Sequence, residues 1–255
     1  MIRMIKKSVL LIALAAIYIV PVSGQDSEAV WQKPHEKVMK VLHAPQLPWI
    51  WTAPTGEYLF LAEPSDYPTL AEMSAPMYKL AGIRVNPANN GYHGDHGGKN
   101  PYIIRIEDGS RTDLDLPDGA EVLDVAWNVD GQRFALTVNY PDRIELWTGS
   151  VDGNIKKIDN IHLNPLTDYP VTWLPDQERL LARRIPERGP APEPPVIPAG
   201  PEIREGAGAT ARSTYEARNL LETAFDDECF TYYTSSELVI VDPGNGDMKV
   251  LGAPA

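Results

Sequence analysis

Cys229 is the only cysteine among 255 residues, which excludes an intramolecular disulfide in any redox compartment. Stability must therefore come from packing. Set in Glu228-Cys229-Phe230 within an apolar stretch, this thiol reads as buried and inert rather than nucleophilic. A basic surplus is also lacking. The formal net charge is −12, and no stripe of cations is present to neutralise phosphates, so a nucleic-acid partner is not expected. There is no phosphate-binding loop and no dinucleotide fingerprint, and no cofactor is expected. The Gly-x-Ser-x-Gly nucleophile elbow is missing as well, and Ser235-Ser236 lacks the flanking glycines of one, so no catalytic residue can be assigned.

What is present suffices for a core: 43% of residues are apolar and 8% aromatic, enough for one large all-β domain or two ordinary ones. Residues 1–24 read as a secretory signal. Arg3, Lys6 and Lys7 precede an apolar run from Val9 to Val20, and Pro21 and Val22-Ser23-Gly24 then form a small-residue cleavage site before Gln25. The apolar run is shorter than the roughly 20 residues a spanning helix needs, so no stable membrane span is expected after cleavage, and the mature chain is placed as secreted or periplasmic. Without the leader's three cations the charge falls to about −15. Residues 25–48 form a lead-in with a short amphipathic helix drawing on Val30, Trp31, Val38, Val41 and Leu42, its early part broken by Pro34.

From residue 49 to 255 short β-rich runs alternate with Pro, Asp, Asn and Gly, the pattern of an all-β domain. Three stretches repeat one unit of tryptophan, polar turn and apolar strand. They start at Trp51 (with Gly56), Trp127 (with Asp130-Gly131) and Trp173 (with Asp176-Gln177), 76 and then 46 residues apart, so the first interval carries an insertion of about 30 residues. A second element, strand, Gly turn, strand, recurs out of phase at Asp108-Gly109, Asp152-Gly153 and Asn245-Gly246. The last interval of 93 residues is two periods or one with a large insertion. Asp-Gly and Asn-Gly supply the positive φ of tight hairpins.

Two hairpins per period of roughly 45 residues describe a four-stranded propeller blade, the tryptophan anchoring an inner strand and the Gly turn closing the outer pair. An ordinary β-sandwich also places turns at intervals of about 8 to 12 residues and stays open as an alternative. About three blades are visible, whereas propellers close with about 4 to 8, which implies either a truncated chain or a ring completed by another polypeptide. Residues 184–214, with Pro186, Pro190, Pro192, Pro194, Pro195, Pro198 and Pro201, form neither a central strand nor a helix and read as an extended insertion. A short helix is expected from Tyr215 to Phe225 with Leu220 and Leu221 inward.

The Trp127–Gly131 segment resembles the Trp-Ser-Pro-Asp-Gly repeat of periplasmic propellers and of the propeller domains in the prolyl oligopeptidase family. Pro76–Pro87, Gly200–Glu205, Thr214-Tyr215 leading into Asn219–Leu221, and Asp227-Glu228 followed by Tyr232–Ser235 resemble its glutamyl endopeptidase-like branch. Asn128-Val129 and Leu174-Pro175 stand where Ser-Pro is usual, and Gln177 stands where a turn glycine would. The resemblance implies the substrate-gating propeller of a secreted serine peptidase, with the catalytic domain following it and absent here. A peptide substrate would be its partner. The competing reading is a stand-alone periplasmic propeller that acts as a protein-binding scaffold.

Three polar clusters invite functional readings. His93, Asp95 and His96 suit zinc by type, but the surrounding glycines and the lack of a fourth ligand favour a solvated loop at the rim. Arg84 is the exposed cation best suited to hold a peptide carboxylate. Asp226, Asp227 and Glu228 form an acidic cluster that would pair with a substrate amine or simply solvate a turn.

Overall fold

The computed structural model describes residues 33–44, 46–64, 67–195, 221 and 223–255. The 1–24 signal and the greater part of the proline-rich insertion lie outside them. The chain divides into two compact units, Met1–Pro45 and Gln46–Ala255. In the first, helix α1 (Glu36–Leu42) starts after Pro34 and is held by an Nδ1 cap from His35 and a Glu36–Lys40 pair at 3.2 Å. None of its side chains is buried and Val41 is 76% exposed, so no apolar face is covered. Val30 and Trp31 lie outside the described residues.

The second unit is β-rich. It opens with β1 (Trp49–Thr52) and β2 (Tyr58–Pro64), is interrupted by α2 (Leu70–Met73), β3 (Tyr78–Leu80), β4 (Ile83–Asn86) and β5 (Gly91–Tyr92), and resumes with β6 (Gly98–Arg105) and β7 (Arg111–Asp113). The strands β1-β2-β6-β7 pair antiparallel in that order. A second antiparallel set follows without interruption: β8 (Glu121–Trp127), β9 (Arg133–Asn139), β10 (Ile144–Ser150) and β11 (Ile155–His162). One residue pair, Gly98 with Val122, joins it to the first. A third set comprises β12 (Val171–Trp173), β13 (Leu180–Arg184), β14 (Glu237–Val241) and β15 (Met248–Val250). Within it, α3 (Ala224–Thr234) stands between β13 and β14. The 93-residue glycine interval is therefore one period with an insertion, and β3-β4-β5 is a separate small sheet that accounts for the long first interval.

Each tryptophan unit falls on the first hairpin of a set. Trp51, Trp127 and Trp173 lie opposite Phe60, Phe134 and Leu180, and the following turns place Gly56, Gly131 and Gln177 at φ of 72°, 67° and 57°. Gln177 thus adopts the left-handed conformation that glycine takes at the other two turns, and side-chain hydrogen bonds offset its strain. Its Oε1 accepts from Val129 N at 2.7 Å and its Nε2 donates to Leu174 O at 2.9 Å. The aspartates act on their own turns: Asp130 accepts from Gln132 N, and Asp176 from Glu178 N and Arg179 N. Gly109, Gly153 and Gly246, all at positive φ, close the last hairpin of each set.

Alternation along β9 explains why the sets stack. Phe134, Leu136 and Val138 enter a core shared with Phe60 and Ile103 of the first set and with Val122 of their own. Ala135 enters a core with Leu180, Ala182, Val239 and Val241 of the third. Period-2 geometry sends successive side chains to opposite faces, so the second set is buried on both. Phe134 meets Phe60 and Trp127 edge-on, each at 5.3 Å, and a Cβ on Gly149 would come within 2.6 Å of its ring. The indoles tie set to set: Trp51 Nε1 donates to Asp124 Oδ1 and Trp127 Nε1 to Trp51 O, both at 3.2 Å, and Trp173 Nε1 donates to Ala126 O at 2.8 Å.

The helix expected over Tyr215–Phe225 falls mostly outside the described residues, with 215–220 and 222 not among them. Helix α3 starts at Ala224, where Thr223 and Asp226 form a reciprocal capping box. Of the acidic cluster, Asp226 and Asp227 stand in the first turn of this helix, a place the helix dipole favours for carboxylates, and Glu228 follows them; Asp227 and Glu228 are exposed.

Candidate functional site

The inserted small sheet and α3 share a third core of Leu80, Val85, Leu166, Cys229 and Tyr233. Cys229 is buried, and its thiol pKa is raised by burial and by the nearby Asp226 and Glu228 carboxylates, which leaves it protonated at neutral pH. Tyr233 is pushed up to about 12, chiefly by burial. What joins this core to the strand sets is polar. Asn89 Nδ2 donates to Asn139 Oδ1 at 2.9 Å and to Tyr140 O at 3.1 Å. Asn90 Nδ2 donates to Asn164 Oδ1 and Tyr233 O, and Asn164 Nδ2 to Tyr233 O and Ser235 O. All three asparagines are buried, and their amides bond to one another or to backbone carbonyls, as buried amides require.

Two clefts flank this junction and share Pro87, Ala88 and Asn89 in their walls. The larger, of about 680 Å³, runs between α2, the β5–β6 segment and the β9–β10 turn; its polar lining includes Glu72, His93, Asp95, His96, Lys99 and Glu121. Burial raises the Asp95 carboxyl, helped by Glu121 and opposed by His96. Tyr92 is likewise raised by burial and by Asp95, and its hydroxyl donates to Leu166 O at 2.6 Å. Glu121 accepts from Gly97 N at 3.3 Å and pairs with Lys99 at 3.3 Å. On α2, whose Ala71 and Glu72 line this cleft, Leu70 and Met73 are 84 and 64% exposed.

His93, Asp95 and His96 belong to a cleft wall, with Gly94 and Asp95 exposed and the two imidazoles partly buried, while the ends of their segment are buried. Asn89, Asn90, Gly91, Gly97 and Gly98 are buried. A Cβ on Gly98 would come within 2.4 Å of Ala62 Cβ, and one on Gly97 within 2.7 Å of Val122 O, so these two glycines permit close approach of backbone. Among the described residues, no three His, Cys, Asp or Glu side chains converge as metal ligands. Arg84 is exposed on β4 and lines neither cleft.

The smaller cleft, about 250 Å³, is lined by Asn89, Asn90, Asp142, Arg143, His162 and Arg188, among others. Arg188 belongs to the proline-rich stretch, where sequence pattern offered no reason to select it. Its guanidinium lies 3.7 Å over the Tyr232 ring, donates from Nη2 to Asn90 Oδ1 at 2.8 Å and from Nη1 to Tyr232 O.

No family model matches the sequence. Two curated relatives do, both named "Probable glutamyl endopeptidase, chloroplastic". The Oryza sativa subsp. japonica protein is 26% identical over 245 residues and the Arabidopsis thaliana protein 25% over 244; each match covers 88% of this chain and 25% of the relative. The chain thus spans about a quarter of the length of these relatives. Among solved structures, Pyrococcus horikoshii acylaminoacyl peptidase aligns over 82% of this chain and 25% of its own at 14% identity and TM-score 0.38. The β-propeller domain of the Trilobed protease from Pyrococcus furiosus aligns over 81% and 44% at 11% identity and TM-score 0.38. Superpositions this loose carry no argument. The strand pairing describes a β-rich, partial propeller-like fold. By sequence the chain is a distant relative, at low identity, of the peptidase-associated proteins it matches.

Proposed function

We propose that this chain is an exported propeller-type binding module that holds an extended or loosely folded polypeptide in its larger cleft. The observation that carries this reading is the cleft of about 680 Å³, lined by imidazole, carboxylate, ammonium and phenol groups and by Ala71 and Glu72 of α2, a helix whose Leu70 and Met73 are exposed. Mixed hydrogen-bonding walls with an apolar rim suit a peptide, whose backbone needs donors and acceptors while its side chains need apolar contact. Export rests on the basic and apolar pattern of residues 1–24, and among the described residues no helix is long and apolar enough to cross a membrane. The 49–255 boundary of the module is part of the same proposal.

Titrating the chain with a reduced, carboxymethylated unfolded protein tests this reading through the ring resonances of His93 and His96. Saturable shifts at both, absent when folded protein is the titrant, are expected; resonances that do not move sink it.

A second reading is favoured by the 26% likeness to a probable glutamyl endopeptidase over 88% of the chain: the module is the substrate-gating part of a serine peptidase of the glutamyl endopeptidase-like branch. The coding sequence beyond the codon for Ala255 separates the two, since an in-frame segment carrying a Gly-x-Ser-x-Gly elbow would support the peptidase and a stop codon the scaffold.

A further inference from the structure

Arg188 is a half-buried cation without a carboxylate within 4 Å among the described residues. The neighbouring charges of the smaller cleft are already matched. Arg143 donates from Nη1 to Asp142 at 2.8 Å and from Nε to Glu145 at 2.6 Å, and Lys157 reaches the same Glu145 oxygen at 2.6 Å. A guanidinium withdrawn from water without a counter-charge is unfavourable. The contacts to Tyr232 O and Asn90 Oδ1 recover hydrogen bonds but supply no full negative charge.

Among the described residues, those two contacts engage two of the five N–H donors of the guanidinium and leave three. The Tyr232 ring at 3.7 Å and the two bonds together restrain the plane of the group. A restrained plane with spare parallel donors is what bidentate carboxylate recognition requires. Burial is the largest influence on Arg188 and lowers its pKa, against opposing contributions from Tyr232 and Tyr233; a guanidinium is not deprotonated in proteins, so the group stays charged.

We infer that the smaller cleft is a carboxylate seat in which Arg188 binds the C-terminal carboxylate of a short peptide. The inference rests on the reading of this chain as a polypeptide-binding module, and adds to it a charge requirement at a second, adjoining cleft. A volume of about 250 Å³ admits the carboxylate with its terminal residue, and the shared Pro87–Asn89 wall leads from there to the larger cleft.

The test uses the full chain with arginine side chains labelled in 15N, titrated separately with N-acetyl-Ala-Ala, its C-terminal amide, acetate and inorganic phosphate. The acid is expected to shift the Arg188 Nε resonance saturably and the amide to bind at least roughly tenfold more weakly, the loss corresponding to one charge-assisted hydrogen-bonded pair. A comparable acetate affinity would assign the seat to free small carboxylates, and a weaker one to peptide termini. R188Q should lose the preference for acid over amide, and R188K should recover only part of it. If R188Q fails to fold, because Arg188 also holds Tyr232 O at the end of α3, the acid and amide comparison on the unaltered chain still decides. Equal binding of acid and amide, binding of neither, or binding of phosphate alone overturns the seat. Equal binding would do so while leaving the polypeptide-binding reading intact.

Discussion

Replacing Trp173 by phenylalanine tests whether the strand sets are held together by directed bonds or by apolar contact alone. The indole Nε1 donates to Ala126 O at 2.8 Å, linking β12 to β8 across the boundary between the third and second sets. Phenylalanine keeps an aromatic ring against the core containing Leu180 and Val241 but removes the donor. A net intramolecular hydrogen bond contributes about 1 kcal/mol, and the smaller ring forfeits up to roughly 1 kcal/mol more of apolar burial. W173F should therefore lose about 1 to 2 kcal/mol, a fall in Tm of roughly 2–8 °C for a domain of this size. W173A, which also opens a void, should lose roughly 3 kcal/mol or more. Urea unfolding followed by far-ultraviolet circular dichroism measures both. The control is W49F: Trp49 stacks edge-on against Trp51, but its indole makes no hydrogen bond among the described residues, so W49F should be nearly neutral. If W173F matched the unaltered chain within about 0.3 kcal/mol while W173A did not, the indole bond would be incidental and the reasoning about indole ties would fail.

Two further outcomes follow from the geometry. Glu145 is buried at 1% exposure; desolvation pushes its carboxyl up, but hydrogen bonds from Lys157, Arg143 and Trp147 and the Lys157 charge together hold it below the ordinary carboxylate range. A depressed folded-state pKa contributes stability that is present above the unfolded value of about 4.5 and is lost as pH falls through the folded value. E145Q should therefore be less stable by roughly 2 kcal/mol at pH 7, with the gap narrowing below about pH 4; chemical denaturation across pH 3–7 reads it, and a constant gap would contradict the assignment. At Gln177, φ of 57° favours glycine while Oε1 holds Val129 N. Q177A should cost about 1 kcal/mol, and Q177G should lie close to the unaltered chain because relief of backbone strain offsets the lost bond. Thermal melts of the pair settle the sign, and Q177A no less stable than Q177G would refute the strain argument.

Local chemistry determined much of this protein in advance of any tertiary contact. The tryptophan spacing, the Asp-Gly and Asn-Gly pairs and the β-rich runs carried the hairpins, because turn geometry and period-2 burial are properties of a few adjacent residues. Even Gln177 was legible as a departure at a turn position, although not how its side chain compensates. The helix expected over Tyr215–Phe225 falls mostly outside the described residues, whereas α3 begins at Ala224, where Thr223 and Asp226 cap it.

The clefts could not be read this way. Asn90 and Tyr233, which are bonded, are separated by 143 residues, and no local pattern announces that a small sheet inserted after β2 and a helix inserted after β13 will meet over the β11–β12 connection. His93, Asp95 and His96 drew attention by type, yet only the packing of Gly97 and Gly98 against the first two strand sets turned their segment into a wall. Arg84 stood out as an exposed cation and lines neither cleft, whereas Arg188 was hidden among prolines and faces one. Sequence sets strand, turn and periodicity because those depend on neighbours along the chain; the polar junction and the Arg188 guanidinium beside it arise from long-range contacts between insertions, which only the tertiary structure decides.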